Sequence, residues 1–314
     1  MTPVYTVQGL LPLALVLWMV VAPPRSRLGW GVQLIASLLV LWAMARVGIW
    51  LFPPWWTPHA AAALLIAAAL WAWQRGARRT TWPQGTVGWA ATLLIAAAGV
   101  AGAFYAARAI ADGQPPAPPT VALAWPLEAG TFMVVNGGNA LSINAHLMTL
   151  DTAAPRFREW RGQSHGVDIV QIDGLGLRAK GMQPSEPSAY RIYGAKVRSP
   201  CAGEMVAAVD SLPDMQPPAV DHDHLAGNHV LLRCAEADVL LGHLRPGSLR
   251  VAAGARVRSG DPIAEVGNSG NTGEPHLHIH AQRPGPPGAP FSGEPLHITL
   301  GGRYLVRGDR IELP

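Results

Sequence analysis

The first 110 residues contain no aspartate and no glutamate, and four long apolar runs fill most of that length: Tyr5–Ala22, Leu28–Phe52, Trp56–Trp73 and Thr86–Ile110. Crossing the hydrocarbon core of a bilayer takes about 20 apolar residues at 1.5 Å rise each. The second and fourth runs are long enough to cross with tilt; the first and third lie close to the lower limit. A secretory signal would carry a basic residue ahead of its apolar stretch, and none precedes Tyr5. A buried soluble helix is the bland reading of the alanine-rich third run, yet four such runs without one carboxylate suit lipid better. The expectation for residues 1–110 is a bundle of four transmembrane helices.

The arginines orient this bundle. Arg25 and Arg27 lie between the first two runs, and Arg75, Arg78 and Arg79 between the last two, whereas Pro53–Trp55 carries no charge. Positive residues stay in the cytoplasm, so the first and third loops are inside and both termini outside. Arg46, near the outer end of the second run, snorkels to the interface. All that follows Ile110 is then expected in the periplasm or extracellular space, on a multi-pass protein of the cytoplasmic membrane. The spans read as an anchor, with a membrane-protein partner as the other use for them.

Charge separates the rest of the chain from this part. Residues 111–314 hold 17 of the 24 basic residues and all 20 acidic ones, so the basic excess belongs to the first third. No Lys/Arg cluster accompanies a soluble fold, and nucleic-acid binding is not expected. Asp112–Thr120 reads DGQPPAPPT, a proline-rich linker that as polyproline II spans roughly 25 Å. Residues 121–314 form the second expected domain. Short apolar stretches alternate there with Gly, Pro and Asn/Asp turns: Thr131–Val135, Gly166–Val170, Glu204–Val209, His229–Arg233, Val239–Leu241, Pro262–Val266 and His276–His280. This is the pattern of a compact all-β domain. Cys201 precedes one candidate strand and Cys234 follows another. Antiparallel pairing would set them opposite each other, and an oxidising compartment permits the bridge.

Ten of the eleven histidines lie beyond the membrane part. In GNSGNTGEPHLHIHA, Gly267–Ala281, His276, His278 and His280 alternate with Leu277 and Ile279, so a strand puts all three on one face. Burying three imidazoles together is costly unless something binds them, and neutral imidazole suits zinc. His243 ends the apolar stretch VLLGHL, and Asp168 sits between Val167 and Ile169 in GQSHGVDIV. A buried lone carboxylate requires a cation, and with two histidines it completes a donor set for hydrolytic zinc. His222 and His224 read as a polar loop, His229 as the start of a core strand, His280 as a support for a ligand or a strand-end residue, and His297 as a surface residue of the tail.

HLH preceded by GNSGNTG, with GHL some thirty residues earlier and the stretch Gly247–Val266 between, resembles the M23 (LytM/lysostaphin-like) metallopeptidase family over roughly Val121–Gln282. The resemblance implies an all-β LytM-like domain of antiparallel sheets that hydrolyses peptidoglycan peptide cross-links with Zn2+. It implies zinc ligation by Asp168 and His278 and catalytic assistance by His243 and His276. The family's early motif is His-x-Gly-x-Asp. Counting back from Asp168, Gly166 matches, but the histidine position holds Ser164. His165 is one place off and would face the other way on a strand. His146, in NGGNALSINAHL, is preferred to it as the third zinc ligand, because some relatives use an Asn-x-His segment ahead of a Gln-x-x-x-x-Asp strand, as in Gln163–Asp168. With no HExxH glutamate, histidine must serve as base. Two other classes compete. A non-catalytic scaffold of the same fold, binding wall or activating another hydrolase, would lack ligands. A swinging-arm carrier would need a lysine at a hairpin tip, and Lys180 and Lys196 both lie upstream of the hairpins.

Overall fold

A computed structural model describes residues 3–75, 79–114, 116 and 120–314. The chain divides into two units, Met1–Ala111 and Asp112–Pro314.

Among its described residues, the first unit holds four helices: α1 (Pro3–Val21), α2 (Arg27–Val47), α3 (Thr57–Arg75) and α4 (Gly85–Ala111). Pro23 and Pro24 lie within the first connection, and Ser26 caps α2 by accepting the Gly29 N–H at 3.0 Å. Two helices, α2 and α4, are long and apolar enough to cross a membrane, while α1 contributes the shorter apolar stretch Thr6–Val21. Small residues let α2 and α4 approach closely. A Cβ at Gly99 would lie 2.7 Å from Ala36 Cα, and one at Gly102 would lie 3.1 Å from the Leu39 carbonyl oxygen. The proline-rich linker expected at Asp112–Thr120 includes residues 115 and 117–119, which lie outside the described residues.

The second unit is mostly antiparallel sheet. Its strands are β1 (Thr120–Leu123), β2 (Gly130–Asn136), β3 (Val167–Ile172), β4 (Lys196–Arg198), β5 (Gly203–Val209), β6 (Asn228–Cys234), β7 (Ala237–Leu244), β8 (Arg256–Val257), β9 (Pro262–Glu265), β10 (Leu277–Gln282), β11 (Pro295–Leu300) and β12 (Arg310–Leu313). The main sheet runs β12-β2-β3-β10-β7-β6-β5-β8, and β4 pairs with β9 in a separate ribbon. Along one edge, β10 pairs first with β3 and then, from Ala281, with β11, which carries β1 as its parallel neighbour. All seven stretches expected as strands overlap strands, with Gly166, Val266 and His276 lying one residue outside theirs. The five others are short or lie near the ends of the unit. One of them, β11, places His297 in a half-buried strand rather than on the surface of a tail.

Leu232, Val239, Leu241, Leu277 and Ile279 form the centre of the apolar core. Every residue of β7 and β10 is buried. These two strands are therefore the rigid base on which the histidines stand. Glu204 of β5 pairs with Arg233 of β6, which brings Cys201 beside Cys234, and the two form a disulfide with their Cα atoms 6.0 Å apart. The closed loop spans 33 residues. Reduction, or replacement of both cysteines by serine, is expected to cost the unit about 3–4 kcal/mol in urea unfolding, the chain-entropy value for such a loop.

Candidate metal centre

The pairing of β3 with β10 sets Asp168 directly opposite His278, and β2 adds Asn136 on the other side of Asp168. Three residues from three strands thus form one row across the sheet. Asp168 and His278 are 4% and 3% exposed. Asp168 Oδ1 lies 2.8 Å from His278 Nδ1, and its Oδ2 lies 2.9 Å from His146 Nε2. One ligand atom each from His146, Asp168 and His278 falls within 4.8 Å of the others. His276 Nε2 stands 3.6 Å from Asp168 Oδ1. Burial opposes ionisation of Asp168, but the surrounding imidazoles, His146 foremost, hold its carboxyl well below the usual range.

His146 reaches the row from a 3-10 turn, Ala145–Leu150. Asn144 pins that turn: its amide donates to the carbonyls of Gly138 and Gly166, both at 3.1 Å, and its oxygen accepts the His146 N–H. At the position where the related motif has histidine, Ser164 is buried and hydrogen-bonded to Thr149 and to the Arg161 carbonyl. His165 occupies a 3-10 turn, Arg161–His165, and its ring stacks on His297 with centroids 3.7 Å apart. Burial, with His297 adding to it, pushes the His165 imidazole down to about 4. The structure therefore brings His146, and not His165, to Asp168. Gly166 is matched to this arrangement, because a Cβ there would lie 2.7 Å from His278 Cε1 and 3.3 Å from His146 Cδ2.

His243 and His276 stand beside the row, with ring centroids 4.7 Å apart. His243, next to the last residue of β7, has a φ of 61°, a left-handed conformation that is uncommon outside glycine. Its Nδ1 lies 2.9 Å from the Ser269 carbonyl oxygen. A carbonyl only accepts, so Nδ1 carries the hydrogen and Nε2 is left with a free lone pair. His276 repeats this logic, with Nδ1 2.9 Å from the Glu274 carbonyl oxygen. Burial, reinforced by His276 and His278, holds the His243 imidazole well below its ordinary pKa. It is neutral near pH 7 and able to take a proton.

The loop that supplies both carbonyls is firmly held. The Ser269 hydroxyl donates to the Leu244 carbonyl and accepts the Asn228 N–H, while Arg178 grips Glu274 with two bonds of 2.9 and 2.8 Å. Gly270, at φ 85°, passes so close to Gly227 that a Cβ would lie 2.3 Å from its nitrogen. A cleft of about 220 Å³ opens over His146, Asp168, His243, His276 and His278, with Gln163, Phe157 and Leu225 in its wall.

Several supporting residues carry no signal in a linear reading. Arg307 donates to the carbonyls of Val135 and Ser142 and to Asn136 Oδ1, and the Asn136 amide donates to Asp168 Oδ2 at 2.8 Å. The Arg178–Glu274 pair is equally long-range. Of the remaining histidines, exposed His224 bonds Asp221 and His229 packs its ring edge against Phe291. His280 is buried on β10, with its Nδ1 2.8 Å from His278 Nε2. A hydrogen on His278 Nε2, donated to His280, leaves His278 Nδ1 bare for a metal. His280→Ala is expected to weaken metal binding about 10- to 100-fold, measured by chelator competition, with a melt of the variant to separate that loss from the cavity left in a fully buried strand.

Residues 189–290 match the model of peptidase family M23, a stretch that includes His243, His276 and His278. His146 and Asp168 lie upstream of it. No curated protein matches the chain. Among solved structures, the catalytic domain of the antimicrobial peptidase lysostaphin from Staphylococcus simulans is 20% identical, with 38% of this chain and 65% of that one covered and a TM-score of 0.26. A putative peptidase M23 from Pseudomonas aeruginosa is 14% identical, with 56% and 52% covered and a TM-score of 0.29. A zinc-containing peptidase from Vibrio cholerae is 18% identical, with 37% and 46% covered and a TM-score of 0.22. The chain thus spans less than two thirds of each of these structures. By the match over residues 189–290, the Asp112–Pro314 unit carries a domain of peptidase family M23.

Proposed function

We propose that this chain is a membrane-anchored zinc metalloendopeptidase that hydrolyses peptide cross-links of peptidoglycan outside the cytoplasmic membrane. The observation that carries the reading is the convergence of His146, Asp168 and His278 at the floor of one cleft, with His243 and His276 beside them. Two imidazole nitrogens and one carboxylate oxygen are a donor set for catalytic zinc, which keeps a further position open. The absence of a side chain at Gly166 preserves the space that such an ion needs. When bound, zinc supplies a water of pKa lowered toward about 7 and polarises the carbonyl under attack.

The chain's own residues do the rest. Asp168 stays ionised and, with the two imidazoles, fixes the centre. Its orientation is kept by Asn136, which Arg307 holds in turn. The bare Nε2 of His243 or His276 accepts one proton from the attacking water, and the imidazolium so formed donates a hydrogen bond to the developing oxyanion before passing that proton to the leaving amine. The stem-peptide substrate is what the M23 relationship supports.

Membrane anchoring rests on the first unit. Large apolar side chains face outward on its helices, among them Val87, Leu94 and Val100 of α4, and the unit has no acidic residue. Four spans in the lipid bilayer, with the arginine-bearing loops inside, place the M23 domain outside. Digestion of purified cell wall by the Asp112–Pro314 unit tests the activity. The wild type and His165→Ala are expected to release peptide fragments, whereas His146→Ala is expected to lose at least about a hundredfold, the order of effect of a general catalytic group or more. A unit without stoichiometric zinc and without digestion would instead be the non-catalytic scaffold.

A further inference from the structure

In the first unit, a groove bounded by α1, α2 and α4 starts at the loops around Arg25 and Thr80. Its loop end has a volume of about 680 Å³ and is bordered by Arg25, Ser26, Gln33, Gln84 and Thr92. Its continuation of about 220 Å³ is bordered by Leu15, Val40, Leu94 and Ala98. Trp18 and Ile95 line both parts, so the two are one surface that is polar at the loop end and apolar beyond.

Gln33 is 0% exposed, and neither its amide nitrogen nor its oxygen has a hydrogen-bond partner among the described residues. A buried amide in this state needs an external donor or acceptor. The first N–H groups of α2 do not need one: Arg27 N donates to the Thr80 carbonyl, Leu28 N to that of Thr81, and Gly29 N to Ser26 Oγ. Ser26 Oγ accepts in that bond and retains a hydrogen to donate. No acidic side chain exists in Met1–Ala111 to balance Arg25. The polar end therefore offers a cation, a hydroxyl and an amide to an anion, and the other end offers apolar wall to a chain.

We propose that the groove binds one anionic glycerophospholipid, with its phosphate at Arg25, Ser26 and Gln33 and an acyl chain running along Trp18, Ile95 and Leu94. The inference rests on the reading of this unit as embedded in a bilayer. Under that reading Arg25 faces the cytoplasmic leaflet, whose surface is anionic. A transmembrane helix of a partner protein would satisfy the apolar half but leave the arginine and the amide unmatched.

Native mass spectrometry of the full chain, released from nanodiscs of equimolar phosphatidylglycerol and phosphatidylcholine, tests this. The expected result is one retained phosphatidylglycerol per chain, preferred about fivefold, the factor for one arginine at an anionic surface. Arg25→Lys keeps the preference and Arg25→Ala abolishes it. Gln33→Leu lowers retention, while Arg46→Ala, at the far end of α2, changes nothing. Equal retention of the two lipids, or the same loss in Arg46→Ala as in Arg25→Ala, would mean boundary lipid only and overturn the proposal. So would release of the chain as a dimer or complex with an empty groove. Helicity of each variant is checked by circular dichroism, so that a folding defect is not read as lost binding. Alkaline extraction of the full chain into the soluble fraction would instead defeat the membrane reading itself, and zinc content is independent of both.

Discussion

His278→Ala is expected to strip stoichiometric zinc from the Asp112–Pro314 unit and to lower wall digestion at least about a thousandfold, equivalent to about 4 kcal/mol of transition-state stabilisation. The size follows from where His278 stands. It is the donor paired across the sheet with Asp168, buried, and held from behind by His280. Alanine removes one of three donor atoms and leaves Asp168 with a buried charge compensated only by the remaining imidazoles and Asn136. Zinc content by atomic absorption and turnover of purified wall should fall together. A circular dichroism melt is the control for folding, since the side chain lost lies in a fully buried strand.

The second large effect separates proton transfer from metal binding. His243→Ala is expected to retain one zinc per chain while kcat falls by about 10²–10⁴, the range for a positioned general acid–base group. His243 contacts the cluster from the side, its ring 6.0 Å from that of His278, and it is not among the three converging donors. His276→Ala should behave similarly, although its 3.6 Å approach to Asp168 makes some loss of zinc affinity expected as well. Zinc loss in His243→Ala as complete as in His278→Ala would show that the division of roles is wrong.

Much of the site is legible in the residues because it is local. HLHIH alternates with period two, and β10 does present His278 and His280 to one another along one face. The glycine-rich turn ahead of it and the strand bearing Asp168 are likewise local patterns. The choice between His146 and His165 was open for a physical reason. A linear count treats the segment before Asp168 as strand, but Arg161–His165 is a 3-10 turn, which aims the His165 ring at His297. What brings His146 in is the Asn144 anchor to two carbonyls, one of them 22 residues away. Arg307, 171 residues from Asn136, is beyond any pattern in sequence. Strands such as β8, with two residues, and β4, with three, are too short to show alternation. In the first unit, helix existence follows from the apolar runs, and the close approach of α2 and α4 follows from Gly99 and Gly102. A groove with an unsatisfied glutamine has no sequence signature at all.

The proposed activity requires one divalent ion shared by a nitrogen of His146, a nitrogen of His278 and an oxygen of Asp168. X-ray absorption at the zinc edge on the purified Asp112–Pro314 unit, paired with anomalous diffraction, addresses it directly. The expected result is one zinc per chain between β3 and β10, with two nitrogen donors and oxygen completing the shell at about 2.0–2.2 Å. Zinc held instead by the exposed His222–His224 loop, or a shell that lacks Asp168, would contradict it.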